Sequence, residues 1–198
     1  SLTNYGGWWD GDVALPMPMP MPMPMPHAGG GINVRTPGLG SRTGADLDSQ
    51  VLQAFRTALT DSSHCVRHLS ARMIARAEPA WAQAEFAALA KHIEAGFRET
   101  GLVGLGELED PRTAGIITAA LGDRDAAVRA MAAWALGELE LPESVPALGR
   151  VMNDDSPVVR RRAAWALGSI EDAAALPPLE RALRDRTPEV RRMVVWAI

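Results

Sequence analysis

The six residues AAWALG occur at 132–137 and again at 163–168, so the two copies are 31 residues apart. Arginines recur at the same interval, each after an apolar residue: Arg67, Arg98, Arg129, Arg160 and Arg191. Six positions before these arginines stand Asp61, His92, Asp123, Asp154 and Asp185, acidic in four cases of five. A fixed period of about 20–50 residues indicates an array of stacked structural units.

Each unit is predicted to contain two helices. In the fourth unit a short apolar segment and a polar turn precede Ser156 and Pro157, which together are a typical helix start. In such a start the serine side chain accepts a hydrogen bond from an unpaired backbone N–H, and proline fits the first helical position. The second helix then carries one apolar stripe at helical spacing, formed by Val159, Ala163, Ala166, Leu167 and Ile170. One pair cannot bury this stripe alone, so neighbouring pairs must stack.

The pattern D-x-x-x-V-R-x-x-A-A-x-A-L-G, as found at 155–168, resembles the short HEAT-like repeat of bilin lyases and of many bacterial scaffold proteins. The resemblance is strong for about 112–198, good for 80–110 and weak for 48–78, and residues 1–47 lie outside it. It implies an all-α fold, a right-handed α-solenoid of about five helix pairs.

The predicted organisation is an extended arm over 1–47 followed by the solenoid over 48–198. The units are expected at 48–78, 80–110, 111–141, 142–172 and 173–198, with turns between their two helices near 61–63, 92–94, 123–125, 154–156 and 185–187. The last unit ends on apolar residues, whereas terminal repeats of solenoids usually present a polar outer face. We therefore expect the natural protein to continue, or a partner to cover this end.

The arm has a composition of its own. Six prolines alternate with five methionines over 16–26, and His27 follows. Alternating prolines favour an extended polyproline II spacer of about 3.1 Å per residue. The methionines could let the arm lie as a strap in an apolar groove, or bind Cu(I) through their thioethers; we favour the spacer or strap.

Other candidate ligands are sparse. His64 and His68 are one helical turn apart and flank Cys65, a spacing that can hold a metal. No second ligand cluster accompanies them, so neither a metal nor a cofactor is predicted. Asp10 and Asp12, in WWDGDV, are expected in a solvated loop.

Three tryptophans are the main candidates for a binding surface: Trp134, Trp165 and Trp196, again 31 residues apart. Counted at 100° per residue from the apolar stripe, they point away from the core of their own unit. They are expected to form a ladder along the second helices, which the resemblance makes the concave surface. Two interpretations remain open: the indoles pack against the neighbouring repeat, or they anchor a partner.

The repeated arginines have a mainly structural interpretation. We expect Arg129, Arg160 and Arg191 to brace the turn before them by pairing with the acid six positions earlier, that is with Asp123, Asp154 and Asp185. Three further arginines, Arg161, Arg162 and Arg192, make the last two units locally basic. A solvated face is the default interpretation; as the remaining partner-binding candidates, these arginines could instead dock on an acidic surface.

The sequence contains no HExxH, P-loop or dinucleotide-binding motif and no evident nucleophile–base pair, so the chain is predicted to be non-enzymatic. The expected function is a protein–protein interaction scaffold or a subunit of a larger assembly, with binding through the concave face and the arm. The alternative implied by the resemblance is a bilin-lyase-like protein that handles a chromophore.

Nucleic-acid binding, as in HEAT-like glycosylases, is disfavoured by the net charge of −4 and by the lack of a basic row. No apolar run reaches about 18 residues, so no membrane span is predicted. The compartment, cytoplasmic or extracytoplasmic, depends on what preceded Ser1.

Overall fold

The computed structural model describes residues 49–198, and that part of the chain is helical throughout, without a strand. Its ten α-helices form five consecutive pairs: α1 (Ser49–Ala58) and α2 (His64–Ala77), α3 (Pro79–Leu89) and α4 (Ala95–Glu107), α5 (Ala114–Ala120) and α6 (Ala126–Glu138), α7 (Val145–Val151) and α8 (Pro157–Ser169), α9 (Leu176–Ala182) and α10 (Pro188–Ala197). Short 3-10 helices over Pro111–Thr113, Pro142–Ser144 and Ala173–Ala175 precede α5, α7 and α9. The all-α solenoid prediction is confirmed, and the five turns fall where the period places them.

The arm lies outside the described residues, and with it the Pro-Met segment, Asp10 and Asp12. Its predicted extended conformation and its contacts stay predictions. Within 49–198, every helix is too short or too polar to cross a lipid bilayer.

The turn inside each pair is organised by one side chain. Asp154 Oδ1 accepts the N–H of Ser156 at 2.8 Å. Asp123 and Asp185 likewise accept the N–H of the residue two positions later. Asp61 makes this bond at 2.7 Å, and at the second turn His92 makes it with Nδ1 at 3.1 Å. The position six before each arginine therefore needs a short acceptor side chain, which explains why a histidine can replace the acid.

The helix start at Ser156 differs from the expectation. Ser156 occupies the N-cap position and Pro157 follows at the first helical position, but the serine side chain caps no N–H. The Asp154 carboxylate instead fixes the turn by holding the backbone N–H of Ser156. A side-chain cap is present at α6, where Asp125 Oδ1 accepts the N–H of Ala127 at 2.8 Å.

The core follows the apolar stripe of the second helices. Val159, Ala163 and Ala166 are fully buried, and Leu167 and Ile170 are nearly so. Each second helix packs against the second helix of the next repeat, from α2 through to α10, whereas the first helices make far fewer contacts with one another. The second helices are therefore the more closely packed layer, which is the side expected to be concave in a solenoid. We call the surface of α2, α4, α6, α8 and α10 the inner face; it corresponds to the predicted concave surface.

Two residues beyond the ends of α4, α6 and α8, the chain places a glutamate in the left-handed region. Glu109, Glu140 and Glu171 have φ of 49°, 50° and 51°. Each donates its N–H to the carbonyl of a glycine three residues earlier, at 3.1–3.3 Å, which closes the helix end. Glycine is the residue that usually takes this conformation at helix ends, so these three positions carry a small local strain.

Candidate protein-interaction surface

The repeated arginines bind the turn of the following repeat as well as their own. Arg129 donates from Nε and Nη2 to the Asp154 carboxylate at 2.7 and 2.9 Å, and from Nη1 to the Asp123 carbonyl at 2.9 Å. Arg160 repeats the pattern, with bonds of 2.7 and 3.0 Å to the Asp185 carboxylate and 2.7 Å to the Asp154 carbonyl. The expected pairing with the carboxylate of the same turn is therefore wrong. Within its own turn each arginine binds the backbone, and its carboxylate partner belongs to the next repeat.

The two ends of this series lack the carboxylate partner. Arg67 faces the turn that carries His92, and its Nε donates instead to Thr100 Oγ1 at 3.2 Å. Its guanidinium also lies 5.3 Å from the centre of the Phe97 ring. At the other end, the hydrogen bond of Arg191 within the described chain goes to the Asp185 carbonyl at 2.7 Å.

These arginine–aspartate pairs are strongly desolvated. The side chains of Arg160 and Asp185 are only 5% and 9% exposed. The hydrogen bond to Asp185 raises the pKa of Arg160, and the same bond is the main cause that lowers the pKa of Asp185. At Asp154, burial alone would raise the pKa, but the hydrogen bond from Arg129 and the other favourable contacts outweigh burial and lower it. The pairs are therefore structural, because the guanidinium and carboxylate groups already make their hydrogen bonds within the protein.

Each tryptophan of the ladder lies against a glycine of the preceding repeat. A Cβ placed on Gly106, Gly137 or Gly168 would be 3.0, 2.6 or 3.2 Å from the indole Cζ3 of Trp134, Trp165 or Trp196. All three indoles thus pack between repeats, as one of the two interpretations requires. Trp134 is 8% exposed and offers little surface to a partner, whereas Trp165 is half-buried and Trp196 is 56% exposed. Partner contact stays a prediction for these residues.

The inner face also carries a cluster that the sequence did not single out. Arg72 Nε lies 2.9 Å from Glu107 Oε1 in an ion pair, and Arg76 Nη2 donates to Glu107 Oε2 at 3.2 Å. The Arg72 guanidinium lies 5.8 Å from the centre of the Trp134 ring, within the range of a cation–π contact. The sequence signal was present, since residues 76, 107 and 138 share one position of the repeat.

Glu138 is the next acid in this row, and it is half-buried on the inner face. Burial raises its pKa to about 7, with further contributions from the charges of Glu107 and Glu109, while Arg72 acts in the opposite direction. The carboxyl group therefore holds a proton in part of the molecules near neutral pH.

Arg161 and Arg162 lie on α8, on the inner face beside Trp165, and both are half-buried. Burial lowers the pKa of Arg162 to about 10, and the adjacent charge of Arg161 lowers it further, whereas Glu138 raises it. Neither arginine makes a hydrogen bond or ion pair with another residue of 49–198. Arg192, the third candidate, lies 3.3 Å from Glu189 Oε1 through Nη2.

The histidine pair on α2 does not form a metal cage. The rings of His64 and His68 are 5.8 Å apart and nearly perpendicular, and Cys65 Sγ lies 3.2 Å from His64 Nε2. Burial, with the charges of His64 and nearby arginines, lowers the pKa of His68 to about 4, so its ring is neutral. Among the described residues, no three histidine, cysteine or acidic side chains converge as a metal site.

Residues 113–198 match the family model of HEAT repeats. Among solved structures, YibA of Escherichia coli is 26% identical, with 77% of this chain and 58% of YibA covered and a TM-score of 0.64. The complex of CpcE and CpcF of phycocyanin lyase from Nostoc sp. PCC7120 is 18% identical, with 76% and 99% covered and a TM-score of 0.65.

A designed armadillo repeat protein in complex with the peptide (KR)4 is 18% identical, with 75% and 80% covered and a TM-score of 0.55. The likeness to the lyase subunits and to the armadillo protein shows the fold alone. A comparison with curated protein sequences finds no significant match.

Proposed function

We propose that this chain, whose residues 113–198 match the model of HEAT repeats and whose fold is a HEAT-like solenoid, is a non-catalytic scaffold, or a subunit of a larger assembly, that binds another protein along its inner face. The arm would add a second contact. A solenoid suits this task, because stacked repeats present an extended surface on which each position recurs at a fixed interval.

One observation carries the proposal. The inner face of α8 combines a half-buried indole, Trp165, with two arginines that have no hydrogen-bond or ion-pair partner in the described part of the chain. Aromatic and arginine side chains are the residues that most often anchor protein interfaces. Each of the other arginines of the second helices in the described chain contacts a carboxylate, a hydroxyl or a backbone carbonyl.

The fold adds support of a general kind. The designed armadillo repeat protein with a similar fold is in complex with a peptide, so a helical array of this general type is compatible with peptide binding. The bilin-lyase-like alternative stays a prediction, since the likeness to the phycocyanin lyase subunits extends to the fold only.

Site-specific photocrosslinking tests the proposal. A photoreactive phenylalanine analogue is placed at Val158, half-buried on the inner face, and for comparison at Arg150, exposed on the first-helix layer. In an extract of the native host we expect a discrete crosslinked product from position 158 and none from position 150. Products of equal yield from both positions, or from position 150 alone, would contradict binding through the inner face.

A further inference from the structure

The second helices carry ten arginines in the described chain, and eight of them have an acceptor. Those eight are Arg67, Arg72, Arg76, Arg98, Arg129, Arg160, Arg191 and Arg192, which contact a carboxylate, a hydroxyl or a backbone carbonyl. The two exceptions are neighbours, Arg161 and Arg162. Two adjacent guanidinium groups without acceptors therefore mark one place on the inner face.

The partial burial of Arg162 indicates that this part of the inner face would bind an anionic group. Arg162 is half-buried, and partial desolvation of a guanidinium without a hydrogen-bonded counter-charge is unfavourable, while its neighbour Arg161 adds repulsion. The depressed pKa of Arg162 reflects both causes. The charge of Glu138 attracts Arg162, but Glu138 makes no ion pair with either arginine in the described chain. An added carboxylate would supply what both guanidinium groups lack.

The surroundings suit a peptide segment. Trp165 is three residues from Arg162 and four from Arg161 on α8, so the half-buried indole and the two arginines share one face of the helix. Guanidinium groups bind carboxylates through two parallel hydrogen bonds, which fixes orientation as well as adding energy. The indole offers an apolar platform next to them.

We propose that Arg161 and Arg162 anchor an acidic, extended segment of the partner protein, with an apolar side chain of that segment resting on Trp165. This inference rests on the proposed function and specifies the partner: its docking segment carries aspartate or glutamate. The proposed segment is acidic, whereas the peptide in complex with the designed armadillo protein, (KR)4, is basic.

The test uses the full chain and three fluorescein-labelled peptides, (EA)5, (QA)5 and (KA)5, with binding followed by fluorescence anisotropy at fixed ionic strength. We expect (EA)5 to bind at least tenfold more tightly than the other two. The variant R161Q/R162Q should weaken (EA)5 binding at least tenfold. The matched variant R181Q/R184Q removes the same charge from two exposed arginines away from the inner face, and it should change (EA)5 binding less than twofold.

Three results would overturn the inference. One is equal binding of (EA)5 and (QA)5. Another is equal weakening in the two double variants, which would show attraction by overall charge rather than by this site. The third is tighter binding of single-stranded DNA than of (EA)5, lost in R161Q/R162Q, which would assign the site to a nucleic acid. A thermal melt followed by circular dichroism confirms that both variants are folded. Because the crosslinking experiment makes no assumption about charge, it can succeed where this one fails.

Discussion

The close packing between repeats can be tested by adding a single carbon atom, a Cβ, at Gly137. A Cβ at this position would lie 2.6 Å from Trp165 Cζ3 and 2.9 Å from Ala166 Cα, whereas carbon atoms pack best at about 3.5–4.0 Å. The edge of the indole could turn aside, but the Ala166 backbone can move only if α6 and α8 separate. Adding one carbon to a tightly packed core costs about 1–3 kcal/mol.

Gly115 provides the matched control. It lies in α5, and a Cβ there would meet nothing within 4 Å. Gly115→Ala should therefore stabilise the protein by about 0.5–1 kcal/mol through helix propensity alone. Gly137→Ala receives the same kind of gain in addition to the clash, so the difference between the two variants isolates the packing term. We expect Gly137→Ala to be less stable than Gly115→Ala by about 1–3 kcal/mol.

Urea unfolding followed by far-UV circular dichroism measures this difference, with the slope of the transition checked for each variant. A changed slope would show that the array no longer unfolds as one unit. If Gly137→Ala proves as stable as Gly115→Ala, the indole–glycine contact does not limit how closely the repeats approach, and the packing account of the tryptophan ladder is refuted.

Three further predictions follow from the same contacts. Trp134→Ala should lower the free energy of unfolding by about 3–5 kcal/mol and Trp196→Ala by much less, because only the first indole is fully enclosed; equal shifts of the urea midpoint would contradict this. His92→Asp should give Arg67 the carboxylate that the inner repeats have and raise stability by about 1 kcal/mol, measured in the same way; no gain would show that the carboxylates do not hold the repeats together. Glu138→Gln should stabilise the protein at pH 8 but not at pH 4, because burial raises the pKa of Glu138 to about 7 and disfavours its charge in the folded state; a gain independent of pH would contradict the titration.

The period of 31 residues made the fold predictable, because each unit repeats the same helix start, stripe and turn. The partner of the repeated arginine was not predictable from it. The acid six positions before one arginine is also the acid 25 positions after the arginine of the preceding unit, so the sequence pattern is identical for pairing within a turn and pairing across repeats. The stacking of the repeats determines which carboxylate is bound. Arg129 Nη1 donates to the carbonyl of its own turn, and Nε and Nη2 then face the Asp154 carboxylate of the next repeat.

The tryptophans show a similar limit. The helical wheel pointed Trp165 away from the apolar stripe of its own helix, but it could not say that Gly137 of the preceding repeat lies against the indole. The signal was in the sequence, because Gly137 precedes Trp165 by the same interval as Gly106 precedes Trp134. The partial burial of Arg162 left no such trace in the sequence, whereas Glu138 shares its repeat position with Arg76 and Glu107.

Because the second turn lacks a carboxylate at the His92 position, the junctions between neighbouring repeats differ in strength. In a linear array each repeat is held by its neighbours alone, so unfolding starts where a junction is weakest. The junction between the first two pairs relies on the Thr100 hydroxyl and on more exposed contacts to Glu107, whereas the following junctions each hold a buried two-bond clamp. Amide hydrogens of α1 and α2 should therefore exchange with solvent faster than those of α6 and α8, and the molecule should fray in one direction, from α1 toward α10.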